Sequence, residues 1–309
     1  MEALQNEYPV RVLCETLHVS VSGYSAWKKR PMSQHQREDQ QLAERIHIIY
    51  DACRQVYGSP RIHAELRDQG ISVSRKRVAR LMREQGLSAA RRRHRTITTH
   101  SEAGARVAPN VLDQDLSATC PNEKWTGDIT AIWTYEGWLS LAVVLDLYSR
   151  RVIGWAMAAT QDEALIEQAF RMALLARHPS AGVLFHSDRG AQYTSDAYRA
   201  LLADVGATVS MSRTGNGYDN AVTESFFGTL KGECVERTSF QTRGLARQTI
   251  FEYVECFYNR MRRHSSLGSM SPVTYEQRVS YPLMFRDSTK VEKPHWAPAL
   301  IIANSPLTL

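Results

Sequence analysis

The spacing of apolar residues changes character along the chain. From residue 9 to about 90 it follows a helical interval. Residues 9–30 predict two short helices about a turn at Val19-Ser20, with Val12, Leu13 and Leu17 as the inner stripe of the first and Tyr24 and Trp27 anchoring the second. This is the helix-turn-helix pattern, although a plain helical hairpin fits the same residues. Leu42, Ile46, Ile49 and Tyr50 repeat at helical spacing until Tyr57-Gly58-Ser59-Pro60 breaks the helix, with Ser59 expected as the cap and Pro60 at the first helical position. The next helix ends at Gly70, and Ser74 caps another that runs through Val78, Leu81 and Met82 to Gly86.

From Lys124 the period becomes two. Trp125 to Trp133 predicts a strand, Tyr135-Glu136-Gly137 a turn, Trp138 to Asp146 a central apolar strand, and Arg151 to Met157 a third, giving an antiparallel meander. A helix over 162–177 follows, then a short buried strand at Val183-Leu184-Phe185 leading to His186-Ser187-Asp188, a helix over 195–205, a strand over 208–211 and a last helix opening near Asp219-Asn220. Three strands, helix, strand, helix, strand, helix describes an α/β fold: a mixed five-stranded sheet with helices on both faces, as in the ribonuclease H architecture. The expected organisation is a helix-turn-helix segment (1–35), a helical DNA-binding domain (36–90), a basic linker (91–120), the RNase H-like core (121–240) and a C-terminal helix and tail (241–309).

Charge adds a direction to this picture. Residues 1–110 hold 19 Lys and Arg against 11 Asp and Glu, a net of +8, whereas the remaining 199 carry a net of −2. A polyanion such as DNA is the partner that a basic segment most simply suggests. Arg75, Lys76, Arg77, Arg80 and Arg83 crowd one predicted helix, and Arg91-Arg92-Arg93-His94-Arg95 is a like-charge block of the kind that awaits a polyanion. The five cysteines are widely spaced and form no Cys-x-x-Cys pair, which argues against a disulfide framework or a cysteine-rich zinc site. With no long apolar run and no basic-then-apolar start, neither a membrane span nor export is indicated, and a cytoplasmic setting is expected.

The candidate chemistry lies in three acids. The predicted topology sets the first and fourth strands side by side, which would bring Asp128 against Asp188, with the helix of Glu224 laid across them. On that helix Glu224 and Lys231 share a face, while Val222, Phe226, Phe227 and Leu230 take the other. Each aspartate alone could be a strand-end residue bonding to backbone amides. Three carboxylates brought together repel, and divalent cations relieve the conflict. A pair of such ions can activate an attacking oxygen and stabilise the leaving oxygen of a phosphodiester.

Trp125-Thr126-Gly127-Asp128-Ile129-Thr130, Asp146-Leu147-Tyr148-Ser149-Arg150 with Ile153-Gly154-Trp155, His186-Ser187-Asp188-Arg189-Gly190 with Gln192-Tyr193, and Asp219-Asn220-Ala221 through Glu224-Ser225-Phe226-Phe227 to Lys231 together resemble the integrase core of bacterial insertion-sequence transposases of the IS-three family. The 35 residues between Asp188 and Glu224 match that family's spacing. Tyr57-Gly58-Ser59-Pro60-Arg61 resembles its helix-turn-helix region, and Tyr258-Asn259-Arg260, Arg262, His264-Ser265, Leu267-Gly268 and Ser271-Pro272 its C-terminal signature.

The resemblance implies a transposase that cleaves DNA at 3′ ends and transfers strands. Asp128, Asp188 and Glu224 would bind two Mg²⁺ ions, with Mn²⁺ as a substitute. Lys231 would touch terminal DNA and Asn220 would orient the site or the DNA, while Arg75, Lys76, Arg77, Arg80, Arg91, Arg92 and Arg93 are the expected contacts of the basic segment. Asp146 is expected to be structural. Element ends and target make double-stranded DNA the partner, bound by a homo-oligomer near the nucleoid, and the upstream reading frame of such elements supplies a DNA-binding partner or fusion. A catalytically silent DNA-binding regulator and a stand-alone RNase H-like nuclease are the rival readings. The tail from Tyr281 is assigned no role.

Overall fold

A computed structural model describes residues 4, 6–89, 108–213 and 220–280. These fall into two compact units, one ending at Ala89 and the other comprising the later residues.

The first unit is all helical. α1 (Val10–Thr16) and α2 (Val21–Lys29) form the expected hairpin, and the hydroxyl of Ser20 caps α2 by accepting from Gly23 N. Its core is smaller than the pattern suggested. Leu13, Cys14 and Tyr24 are buried, whereas Val12, Leu17 and Trp27 are exposed, with Trp27 stacked on Tyr24. A helix of seven residues can turn only a narrow stripe inward.

α3 (Gln34–Ala52) opens with a capping box between Ser33 and Gln36. α4 (Ser59–Asp68) starts one residue earlier than expected, so Gly58 is its N-cap, Ser59 makes no cap and Pro60 sits in the first turn. Gly70, in the left-handed region, ends it. α5 (Arg75–Glu84) is capped by Ser74, and Val78, Leu81 and Met82 meet Ile46, Ile49, Ile62 and Leu66 in the core of this unit.

The second unit is built on one sheet in the order β3-β2-β1-β4-β5, from β1 (Lys124–Thr134), β2 (Gly137–Asp146), β3 (Val152–Ala158), β4 (Leu184–Ser187) and β5 (Thr208–Met211). The first three are antiparallel, and β4 and β5 run parallel to β1. Along β2, Ala142 and Val144 join one core cluster, while Leu141, Val143 and Leu145 are buried on the opposite side. Burial on both faces explains why this strand reads as a continuous apolar run.

α6 (Glu163–Arg177) and α7 (Asp196–Asp204) cover the first face with Leu165, Ile166, Phe170, Tyr198 and Leu202. At Gly154 on β3 a Cβ would stand 2.2 Å from the carbonyl oxygen of Ala169, so only glycine lets α6 lie this close. α8 (Ala221–Glu233) covers the other face.

Two expected boundaries move. Of the predicted linker, residues 108–120 are described and belong to the sheet unit: Leu112 is buried, and the hydroxyl of Ser210 on β5 accepts from Val111 N and Leu112 N. Residues 241–280 are likewise more than a single helix. α9 (Arg243–Phe251) runs into a π-helical turn (Glu252–Tyr258), and α10 (Pro272–Ser280) follows. Asn259 donates to Val152 O and accepts from Val152 N on edge strand β3, and Glu276 accepts from Ser149, Arg151 and Arg177. A polar group satisfied inside the sheet unit has to fold with it.

Candidate active site

Thr126 on β1 stands level with His186 on β4, where the pairing of the two strands ends; Asp128 follows two residues on and Asp188 just past the end of β4, near enough for the charge of Asp188 to act on Asp128. Between them the backbone is tight. A Cβ on Gly127 would come within 2.7 Å of the Phe185 ring, so glycine lets Phe185 and Tyr193 press against the strand just before the acid.

The third acid arrives on α8, and a buried polar contact places it. Thr126 Oγ1 donates to Asn220 Oδ1 at 2.8 Å and lies 3.1 Å from Thr223 Oγ1, all three residues being buried. The first turn of α8 is thereby pinned to β1 two residues before Asp128. Glu224, next after Thr223, is left on the outward side. Asn220 holds the N-cap position as expected, but its side chain makes no cap and is turned inward. That burial also removes it as a direct DNA contact: its oxygen satisfies a buried hydroxyl.

The far end of α8 is held as firmly. Arg262 donates twice to Glu233, at 2.6 and 2.7 Å, and Tyr253 donates to the same carboxylate. Phe226 packs edge to face on Tyr258 at 4.8 Å.

Electrostatically the acids act on one another. Asp128 is pushed from the ordinary 3.8 up to about 8, first by burial and then by the charge of Asp188, with Glu224 adding to it. The N–H of Ile129 and the charge of Lys231 oppose the rise. Burial raises Asp188 too, partly offset by the Gly190 N–H, and burial raises Glu224. Both aspartates therefore make the ordinary backbone bonds, Asp128 to Ile129 N at 2.7 Å and Asp188 to Gly190 N at 2.9 Å, while also sharing a field.

The acids do not close around one ion position as tightly as the expectation had it. Among the described residues, no group of three or more His, Cys, Asp or Glu side chains is gathered closely enough to hold a metal ion. Local amide bonds and mutual repulsion both work against closure. The chemistry of the donor set nevertheless fits a hard divalent cation, being all carboxylate oxygen in a site whose most buried member is held partly protonated.

The remaining candidates separate. Lys231 is half-buried on α8, and its charge reaches Asp128. Asp146 is wholly buried and accepts from Asn122 N, Tyr148 N and Arg177, a structural role as expected. Arg75 and Lys76 are exposed on α5. Arg77 and Arg80 instead bind Asp39 at 2.7 and 2.6 Å, holding that carboxyl below its usual range, so part of the cationic crowding fastens α5 to α3. Arg91, Arg92 and Arg93 lie outside the described residues.

Thr126 and Arg262 stand inside the motifs that carry the family resemblance, but their bonds to Asn220, Thr223 and Glu233 were not read from the sequence. A threonine two positions before Asp128 on the same strand face was the one available signal. Its partner lies 94 residues away, which no local pattern reveals.

Comparison with known proteins agrees with this geometry. An HTH-like domain matches residues 36–95, and integrase core domains match residues 118–217 and 224–279. The transposase InsF for insertion sequence IS3A of Escherichia coli (strain K12) is 42% identical over 280 residues, covering 90% of this chain and 97% of that protein. A 31 kDa protein of insertion element IS600 from Shigella sonnei is 41% identical over 266 residues, 86% of this chain and 98% of that one. Among solved structures, the magnesium complex of the HTLV-2 integrase catalytic core domain covers 52% of this chain and 99% of its own, at 14% identity and a TM-score of 0.40. No described helix is long and apolar enough to cross a membrane. Integrase core matches over residues 118–217 and 224–279, and identity sustained along nearly the whole chain, lead to one conclusion: this chain belongs to the IS3 family of insertion-sequence transposases, polynucleotidyl transferases with an integrase core.

Proposed function

We propose that Asp128, Asp188 and Glu224 are the metal-holding carboxylates of this transposase, and that the chain cuts DNA at the 3′ ends of its element and joins them to another strand. The reading is supported by the charges of Asp188 and Glu224 acting on Asp128, with the parallel β1–β4 pairing ending two residues short of each aspartate and the Thr126–Asn220 contact holding the first turn of α8 against β1. Two magnesium ions, or manganese in their place, would supply activation of the attacking oxygen and charge relief at the leaving oxygen.

The protein's own share is positional. β1 and β4 fix the two aspartates, and α8, held at both ends, delivers Glu224 as the ion-binding set closes. Lys231, on the same helix face, meets a phosphate near the reacting bond. Water attacks first and frees a 3′-hydroxyl, which then attacks a second phosphodiester. Each step exchanges one P–O bond for another, so neither an oxidant nor a covalent protein intermediate is required.

The first unit binds duplex DNA through the exposed Arg75 and Lys76 on α5, and the basic residues 91–93 that follow it in the sequence add further phosphate contacts. Pairing two element ends calls for more than one copy of the chain. The product of an upstream reading frame is a fitting DNA-binding partner or fusion, and the work itself places the protein at the nucleoid.

The test is strand joining on supercoiled DNA that carries the sequences flanking the gene, with Mg²⁺ or Mn²⁺, for the natural protein beside Glu224→Gln. Metal-dependent joining that falls at least about 100-fold in the variant is expected. Joining that survives the substitution would sink the proposal.

A further inference from the structure

Beyond Thr126 the strand β1 loses its β4 partner, and three residues past Asp128 it borders a cavity of about 590 Å³ walled by the β1–β2 turn and by the segment that follows α8. That volume lies in the range of sites that accept small molecules. Its lining is aromatic and charged. Trp133, Tyr135 and Trp138 are 56%, 69% and 54% exposed, and the two tryptophans meet edge to face with centroids 5.0 Å apart. Lys231 and Arg237 supply cations, against one acid, Glu236.

Flat rings beside cations form the surface on which unpaired nucleotides stack, because every base has a π face and every linkage a phosphate. The cavity is also tied to the carboxylates, since the charge of Lys231 in its wall acts on Asp128. Three strand residues at about 3.3 Å each put its mouth about 10 Å along β1 from Asp128. That is about three nucleotides of duplex rise.

We propose that this cavity receives one base swung out of the DNA within a few nucleotides of the phosphodiester under attack. The base stacks on the face of Trp138 with Trp133 standing at its edge, and flanking phosphates meet Lys231 and Arg237. Extruding a base frees the strand from duplex geometry, letting the reacting linkage reach acids held on a rigid sheet. The inference rests on the transposase reading and adds to it a base-binding subsite.

Full-length protein would be titrated with duplexes of the element's terminal sequence, each carrying one abasic position, and with a matching set of target duplexes. Trp138→Ala should weaken binding to the intact duplex about tenfold, but to the duplex abasic at one or two adjacent positions less than twofold, because the stacked base is already gone there. Trp138→Phe should bind the intact duplex as the natural protein does. Coupling in the terminal set or the target set tells which strand supplies the base. Lesion and variant penalties that simply multiply at every position of both sets would overturn the proposal. Should Trp138→Ala melt early, Trp133→Ala at the other ring of the pair repeats the cycle. Because binding alone is read, coupling without any strand joining would retain the base pocket while removing the transposase chemistry.

Discussion

Asp128 bears the cost of the site. It lies against Gly127, where Phe185 and Tyr193 crowd the backbone, and it faces the charges of Asp188 and Glu224 with Lys231 as a partial offset. A carboxyl raised from 3.8 to about 8 keeps its proton in the folded state while the unfolded chain has already released it. Its stabilising contribution is therefore complete below about pH 4 and declines as pH rises to about 8. Melting curves of metal-free protein should show Asp128→Asn gaining on the natural chain from pH 5 to pH 8. Added Mg²⁺ should reverse that order at the upper end, because the ion rewards the ionised carboxylate. A difference between the two proteins that stays constant across this range would mean that Asp128 is not held protonated by its neighbours.

At the scale of elements, α8 is the part whose position matters most, and it is clamped rather than merely packed. Its first turn is fixed by hydroxyl and amide groups to β1, and its last residue, Glu233, by a buried double bond to Arg262. Removing one partner of such a pair strands the other charge, which costs about 3–5 kcal/mol. Arg262→Leu should accordingly lower stability in urea unfolding by that amount, and strand joining should fall further than the folded fraction does, because Glu224 rides on the same helix. A loss of stability with joining unchanged per folded molecule would show that α8 keeps its place without the clamp.

Much of this architecture was open to reading in the sequence. The apolar run of β2, the turn at Val19-Ser20, the Ser74 cap and Gly70 act over a few residues, so their meaning is local. The adjacency of the first and fourth strands is expected from the ribonuclease H arrangement that the succession of elements suggests, and the three acids stand out from that arrangement and the family resemblance. What stayed hidden depends on distant partners. Thr126 meets Asn220, Asn259 completes the edge of β3, and Arg77 spends its charge on Asp39, each across dozens of residues.

For the whole molecule, the division of labour follows the charge. The described residues up to Ala89, within the net positive portion, form a helical unit with exposed cations on α5, and the sheet unit carries Asp128 on β1, Asp188 just past β4 and Glu224 on α8. The segment 241–280 belongs to that second unit as its brace, holding the edge of β3 and the end of α8. The central claim is that acids from three separate elements act as one cation site. Its most direct test is Mn²⁺ binding, followed by electron paramagnetic resonance in the presence of a terminal DNA duplex, for the natural protein and for Asp128→Asn, Asp188→Asn and Glu224→Gln. Each substitution should weaken binding by at least about tenfold, since each removes a ligand. Affinity unchanged in all three variants would contradict the account.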